Sequence, residues 1–109
     1  PLTAGRLLRS LGATGKLAGF RYTVYMIERI QEDPEQLQRI TKRLYQETGK
    51  KFNVSAASVE RNLRTLIHFC WNRTEHSLLE HISGTALKNP PTNSEFLDIL
   101  ASYLREMGS

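Results

Sequence analysis

The stretch that decides the fold runs Tyr45-Gln46-Glu47-Thr48-Gly49-Lys50-Lys51-Phe52-Asn53-Val54-Ser55-Ala56-Ala57-Ser58-Val59-Glu60-Arg61-Asn62-Leu63-Arg64-Thr65-Leu66-Ile67-His68-Phe69-Cys70-Trp71. Gly49 is small where two helices must cross closely, and Phe52, three residues on, is the apolar plug of the first helix. Asn53 falls at a tight turn and tolerates a left-handed backbone better than most non-glycine residues. Val54 is a second plug, and Ser55 can cap the next helix. The pattern predicts a helix-turn-helix whose second helix, from about Ala56 to Asn72, fits a DNA major groove.

That second helix has two faces. Val59, Leu63, Leu66, Ile67 and Cys70 recur at helical spacing and should face the core. Ser58, Arg61, Arg64, Thr65 and His68 lie towards the other side. Residues near the start of a recognition helix reach base edges, and arginine can hold guanine O6 and N7 with two hydrogen bonds. The bland alternative is a solvated helix in which Glu60 and Arg64 form an i,i+4 ion pair. Outside this helix, Lys50, Lys51 and Arg73 are candidate phosphate contacts, or plain surface charge. Phosphate contacts set register and affinity and carry no sequence information.

The chain has 109 residues, the size of one domain with one core. Its net charge of +4 suits a polyanionic partner without requiring one. The single cysteine, Cys70, allows no internal disulfide, which fits a reducing cytosol, and its place on an apolar helix face reads as small core filler. No apolar run approaches a membrane span. The start, Pro1-Leu2-Thr3, is no signal peptide and reads as a cut inside a longer protein, and Gly108-Ser109 reads as a loose end.

Helices are expected elsewhere along the whole chain. A first runs from Thr3 to Leu11 and ends at Gly12; a second runs from Leu17 to Glu32 with Phe20, Val24, Ile27 and Ile30 inward. Asp33 as N-cap, Pro34 at the first position and Gln36 completing a capping box start a third, which carries Leu37, Ile40, Leu44 and Tyr45 inward and reaches Phe52, with a break possible near Gly49. After a polar connector, Arg73-Thr74-Glu75-His76, a short helix from Ser77 to Ile82 uses Leu78, Leu79 and Ile82 and ends at Ser83-Gly84. Pro90-Pro91 enforces a loop, and Thr92-Asn93-Ser94-Glu95 is another capping box. The last helix uses Phe96, Ile99, Leu100, Tyr103 and Leu104. The fold class is all-α, about six helices with a central helix-turn-helix.

Catalytic chemistry has little to rest on. His68, His76 and His81 lack ligand spacing and accompanying carboxylates, so no metal site is expected. There is no glycine-rich phosphate loop and no nucleophile motif, so neither a cofactor nor catalytic residues are expected.

Several separated segments resemble one family. Gly19-Phe20 with Tyr22, Ile40-Thr41-Lys42 with Leu44-Tyr45, Lys50-Lys51-Phe52-Asn53, Ser58-Val59-Glu60-Arg61 with Leu63-Arg64, and Pro91-Thr92-Asn93-Ser94-Glu95-Phe96 resemble the C-terminal DNA-binding effector domains of the stage 0 sporulation protein A family. The resemblance covers nearly the whole chain and implies a single helix-turn-helix effector domain over residues 1–109, with the family's receiver domain absent from these residues. It implies a cytoplasmic two-component response regulator that binds double-stranded DNA as a head-to-tail homodimer and contacts the RNA polymerase sigma subunit near the short fifth helix. By position Glu60, Arg61 and Arg64 inherit DNA-contacting roles, with Ser55, Ser58 and Thr65 beside them. The family has arginine where this chain has Ser58 and histidine where it has Thr65; each change removes a contact, at roughly 1–3 kcal/mol for a bidentate one. The loop from Gly84 to Pro91 is shorter than the family's. The alternative is a helical protein-interaction module that has lost specific DNA reading.

Overall fold

Local caps set most helix ends. Thr3 Oγ1 accepts from the Arg6 N–H at 3.2 Å and starts α1 (Ala4–Ser10). Gly12, at φ +102°, ends it: its N–H reaches Arg9 O and the Ala13 N–H reaches Leu8 O, both at 3.0 Å. In this computed structural model, which describes residues 2–73 and 76–108, the described residues form six α-helices and no strand. Thr74 and Glu75 of the expected connector, and the terminal Pro1 and Ser109, lie outside the described residues.

α2 (Gly19–Glu32) starts two residues later than its apolar pattern suggests, because Leu17 and Ala18 are spent in a turn closed by Phe20 N–H to Leu17 O at 3.0 Å. Gly19 needs to be glycine. A Cβ there would stand 2.5 Å from Asn62 O, where α2 crosses the backbone of α4 (Ala56–Arg73). The close helix crossing therefore lies at Gly19 and not at Gly49, as the sequence pattern suggests.

The segment after α2 departs most from expectation. Asp33 caps it, accepting from the Glu35 N–H at 3.2 Å, but the capping box does not form. The Asp33 N–H already closes α2 onto Arg29 O, so Gln36 has no N–H to take and bonds Asp33 Oδ2 instead, at 3.1 Å. Residues Pro34–Arg39 form a 3-10 helix; Arg39 (φ −117°, ψ 32°) leaves the helical region; Ile40–Leu44 form a π turn closed by Tyr45 N–H to Ile40 O. Only then does α3 (Tyr45–Phe52) begin, and it passes through Gly49 unbroken. In consequence Leu37 and Ile40 are half-buried, Gln36 is buried, and Leu44 and Tyr45 enter the core.

α5 (Ser77–Ser83) ends at Gly84, with φ +80°; Leu79 and Ile82 are buried while Leu78 stays exposed, since one short helix has only one inner face. α6 (Asn93–Gly108) starts with the expected reciprocal box: Thr92 N–H to Glu95 Oε1 at 2.8 Å and Glu95 N–H to Thr92 Oγ1 at 3.1 Å. Its inner face is centred on Phe96, Leu97, Leu100, Ala101 and Leu104, with Ile99 and Tyr103 at the margin. All six helices contribute to one buried cluster, in which α2 packs on α1, α3, α4 and α6.

Gly19→Ala is expected to lower the free energy of urea unfolding by about 1–3 kcal/mol, because the added Cβ meets backbone that cannot swing aside. Gly5→Ala, where the nearest atom would be 3.5 Å away, is expected to stabilise by about 0.5–1 kcal/mol. Equal midpoints for the two variants would contradict the crossing.

Candidate nucleic-acid interface

The chain reverses between α3 and α4 in three residues. Asn53 takes the left-handed conformation expected of it (φ 59°, ψ 46°), and both its N–H and that of Val54 reach Gly49 O, the latter at 2.9 Å. The turn folds back so closely that a Cβ on Gly49 would lie 2.5 Å from Val54 O. Gly49 is required by the turn itself. Ser55 Oγ then accepts from the Ser58 N–H at 3.0 Å and starts α4.

Two side-chain groups hold α3 against α2. Phe52 sits 5.1 Å from the Tyr22 ring and edge-on to Tyr25 at 5.8 Å. One turn earlier, Glu47 Oε2 accepts from Arg29 Nε at 2.6 Å and from the Tyr25 hydroxyl at 2.7 Å. The hydrogen bond from Arg29, then that from Tyr25, holds the Glu47 carboxyl below its usual range. Burial, then the bond to Glu47, raises the Tyr25 phenol. This cluster joins residues 18 and 22 apart, a separation that no local pattern reports.

With α3 fixed, α4 presents the two faces its spacing predicts. Val59, Leu63, Leu66, Ile67 and Cys70 are all buried. Ala57, Arg61, Arg64, Thr65 and His68 form one exposed stripe. Glu60 and Ser58 flank it, half-buried. Arg64 Nη2 lies 3.8 Å from Glu60 Oε1, a loose and exposed i,i+4 pair. Arg61 makes no ion pair among the described residues. At the margin of the open face, the Ser58 hydroxyl oxygen accepts from Asn62 Nδ2 at 3.2 Å, and its carbonyl accepts from the same amide at 2.8 Å.

The three outlying cations differ. Lys50 is exposed at the end of α3. Lys51 Nζ lies over the Tyr25 and Phe52 rings, at 5.4 and 5.8 Å. The Arg73 guanidinium lies over Phe69 at 5.1 Å, with its stem against Gly12. Cation–π contact holds both heads without neutralising them, so each can still meet a phosphate.

Two residues absent from the sequence-based set shape this surface. Asn93, the first residue of α6, donates to the Tyr45 hydroxyl at 3.0 Å and to Glu60 O at 3.1 Å. Burial raises the Tyr45 phenol, so it stays a neutral hydroxyl. Around this junction a cleft of about 430 Å³ opens beside the stripe, lined by Tyr45, Glu60, Arg64, His68, Pro91 and Asn93 among others. The capping box marks the start of α6, but nothing local says that its first residue reaches α4.

The remaining reactive side chains are occupied in packing. Burial pushes the Cys70 thiol up to about 11. His76 stacks on Trp71 at 3.5 Å and bonds its carbonyl at 2.6 Å. Among the described residues no three His, Cys, Asp or Glu side chains gather closely enough to hold a metal ion, and no helix is long and apolar enough to cross a membrane.

A tight turn, a first helix locked by its neighbour and a second helix with one apolar and one cationic face define a helix-turn-helix DNA-binding domain. The family model described as sporulation initiation factor Spo0A C terminal matches residues 5–104, and the chain belongs to that family. It is a DNA-binding effector domain of the sporulation response regulators, a family of transcription regulators and not of catalysts.

Asn53→Ala should destabilise by about 1–2 kcal/mol and Asn53→Gly should not, since only alanine pays the left-handed penalty; thermal unfolding of both variants checks this. Glu47 has a depressed folded pKa, so its contribution is present above the ordinary value near 4.5 and is lost as pH falls from there through the folded value. Denaturant titrations of wild type and Glu47→Gln should therefore converge over that acid window; a gap independent of pH would contradict the linkage.

Proposed function

We propose that this domain recognises a specific duplex sequence through the exposed stripe of α4. The observation that carries the reading is the separation of faces: Arg61, Arg64, Thr65 and His68 point outward together while the opposite side of the same helix is fully buried. Arg61, exposed and without an ion pair among the described residues, is the first choice for a bidentate guanine contact. Arg64 reaches a second base or a phosphate, and Glu60, close to it, orients the guanidinium or accepts from cytosine N4. Ser55 and Ser58 keep hydroxyl hydrogens to donate towards phosphate or base edges, and Thr65 can do the same from the stripe. Lys50, Lys51 and Arg73 supply phosphate contacts that add affinity without sequence information.

The family further supports a cytoplasmic regulator in which residues 1–109 act as one effector domain under a receiver domain, bind as a homodimer on repeated sites and meet the polymerase sigma subunit near α5. A second reading, an interaction module that has lost sequence recognition, draws on Ser58, whose oxygen is taken by Asn62, and on Thr65, which brings no charge.

Selection of bound sequences from a random duplex pool at near-physiological salt tests the proposal. A recovered motif is expected, with a steep fall in affinity as salt rises and a persistent gap between motif and random duplex. Arg61→Ala and Arg64→Ala should each weaken motif binding by roughly 1–3 kcal/mol with the fold intact. Unchanged site preference in both variants would sink the assignment.

A further inference from the structure

The stripe on α4 can read bases only if its angle and depth are fixed, and hydrophobic packing alone fixes neither sharply. A buried apolar face tolerates small rotations because dispersion contacts are many and individually weak. Directional bonds from neighbouring elements are the stiffer constraint. Among the described residues, the long-range side-chain bond onto the α4 backbone comes from Asn93, whose Nδ2 donates to Glu60 O at 3.1 Å. Glu60 stands in the turn that carries Arg61 and leads to Arg64. The same Nδ2 donates to the Tyr45 hydroxyl at 3.0 Å, at the first residue of α3. One amide group therefore touches both helices of the helix-turn-helix, at the first residue of α3 and in the second turn of α4.

We propose that Asn93 is a positioning residue for sequence recognition, acting with Tyr45 to set how α4 lies relative to α3. The inference rests on the reading of α4 as the recognition helix. The bonding pattern suits the role. A helix carbonyl has two lone pairs and gives one to its own helix, so Glu60 O can accept from Asn93 without opening α4. Asn93 spends both amide hydrogens across the interface and none on its own helix, because Thr92 and Glu95 cap α6 without it. Tyr45 is nearly buried, 4% exposed, so its hydroxyl is fixed in place where Asn93 meets it. The turn at Asn53 joins the end of α3 to the start of α4, and Asn93 ties the start of α3 to the second turn of α4, so the angle between the two helices is held at two points.

The separation of α6 capping from α4 holding makes the test clean. Asn93→Ala removes both bonds and leaves the Thr92–Glu95 box, so α6 persists and no charge is added near DNA. Tyr45→Phe removes one bond. With a selected motif duplex and a random duplex of equal length, Asn93→Ala is expected to lower the ratio of the two affinities about tenfold, and Tyr45→Phe about threefold. Binding to random duplex and its salt slope should hardly change, because the cations are untouched. A variant that merely loses stability would lower both affinities together. Hydrogen exchange of the DNA-free protein gives the second readout: Asn93→Ala should speed exchange of α4 amides around Glu60 to Arg64 and leave α6 amides unchanged. An unaltered affinity ratio in folded Asn93→Ala overturns the proposal, as does unaltered exchange in α4. If wild type shows no preferred duplex, the reading of α4 fails, and the exchange result alone then decides whether Asn93 holds the helix.

Discussion

The structure depends on a contact that leaves no room for a side chain: Val54 O folds back onto the α-carbon of Gly49. This approach permits a reversal of three residues between two helices. A longer connection would let α3 and α4 settle at many angles. Here Gly49 O ties down two successive N–H groups, Asn53 supplies the left-handed residue and Ser55 starts the next helix at once. Two of the turn's three N–H groups are tied to one carbonyl, so the turn transmits the orientation of α3 to α4. What fixes α3 therefore fixes the recognition surface, and that is the work of Phe52 between two tyrosines and of Glu47 on Arg29.

A second close approach performs the complementary task. Gly19 lets α2 cross the backbone of α4 at Asn62, on the flank of the stripe that carries Arg61 and Arg64. α2 thus touches both members of the pair, holding α3 through polar and aromatic side chains and α4 through bare backbone. The two means differ in stiffness. Side-chain contacts can relax by rotamer changes, whereas backbone against backbone cannot. DNA reading needs that stiffness where the arginines are borne, since a bidentate bond fails with small errors of angle.

How much of this was legible in the residues follows from the range of each interaction. The α4 core face, the Asn53 turn, the Ser55 cap and the Thr92–Glu95 box were readable because each is set by neighbours within a few positions. Placing the tight glycine at Gly49 was right in residue and wrong in partner, since the clash is with the turn and the helix crossing belongs to Gly19. The single helix expected from Pro34 to Phe52 failed because its apolar spacing is helical throughout, and periodicity cannot distinguish 3-10, π and α turns. Ser58 lies on the open side by angle and is half-buried at its margin, and the bond from Asn62 to its oxygen is one turn away on the same helix. Asn93 and Glu47 carry no local signal, because their partners are 18 to 48 residues away.

The π turn at Ile40–Leu44 has a consequence for how this chain can change length. A π turn holds about one residue more than an α turn, and each residue rotates the side chains beyond it by about 100°. Loss of one residue inside that turn would tighten it into ordinary helix and leave Glu47, Gly49 and the reversal facing as they do. Loss of one residue within α3 would swing Glu47 away from Arg29 and take Gly49 out from under Val54. The tolerance for loss of a residue in this part of the molecule is thus concentrated in five residues, just upstream of a helix that permits none.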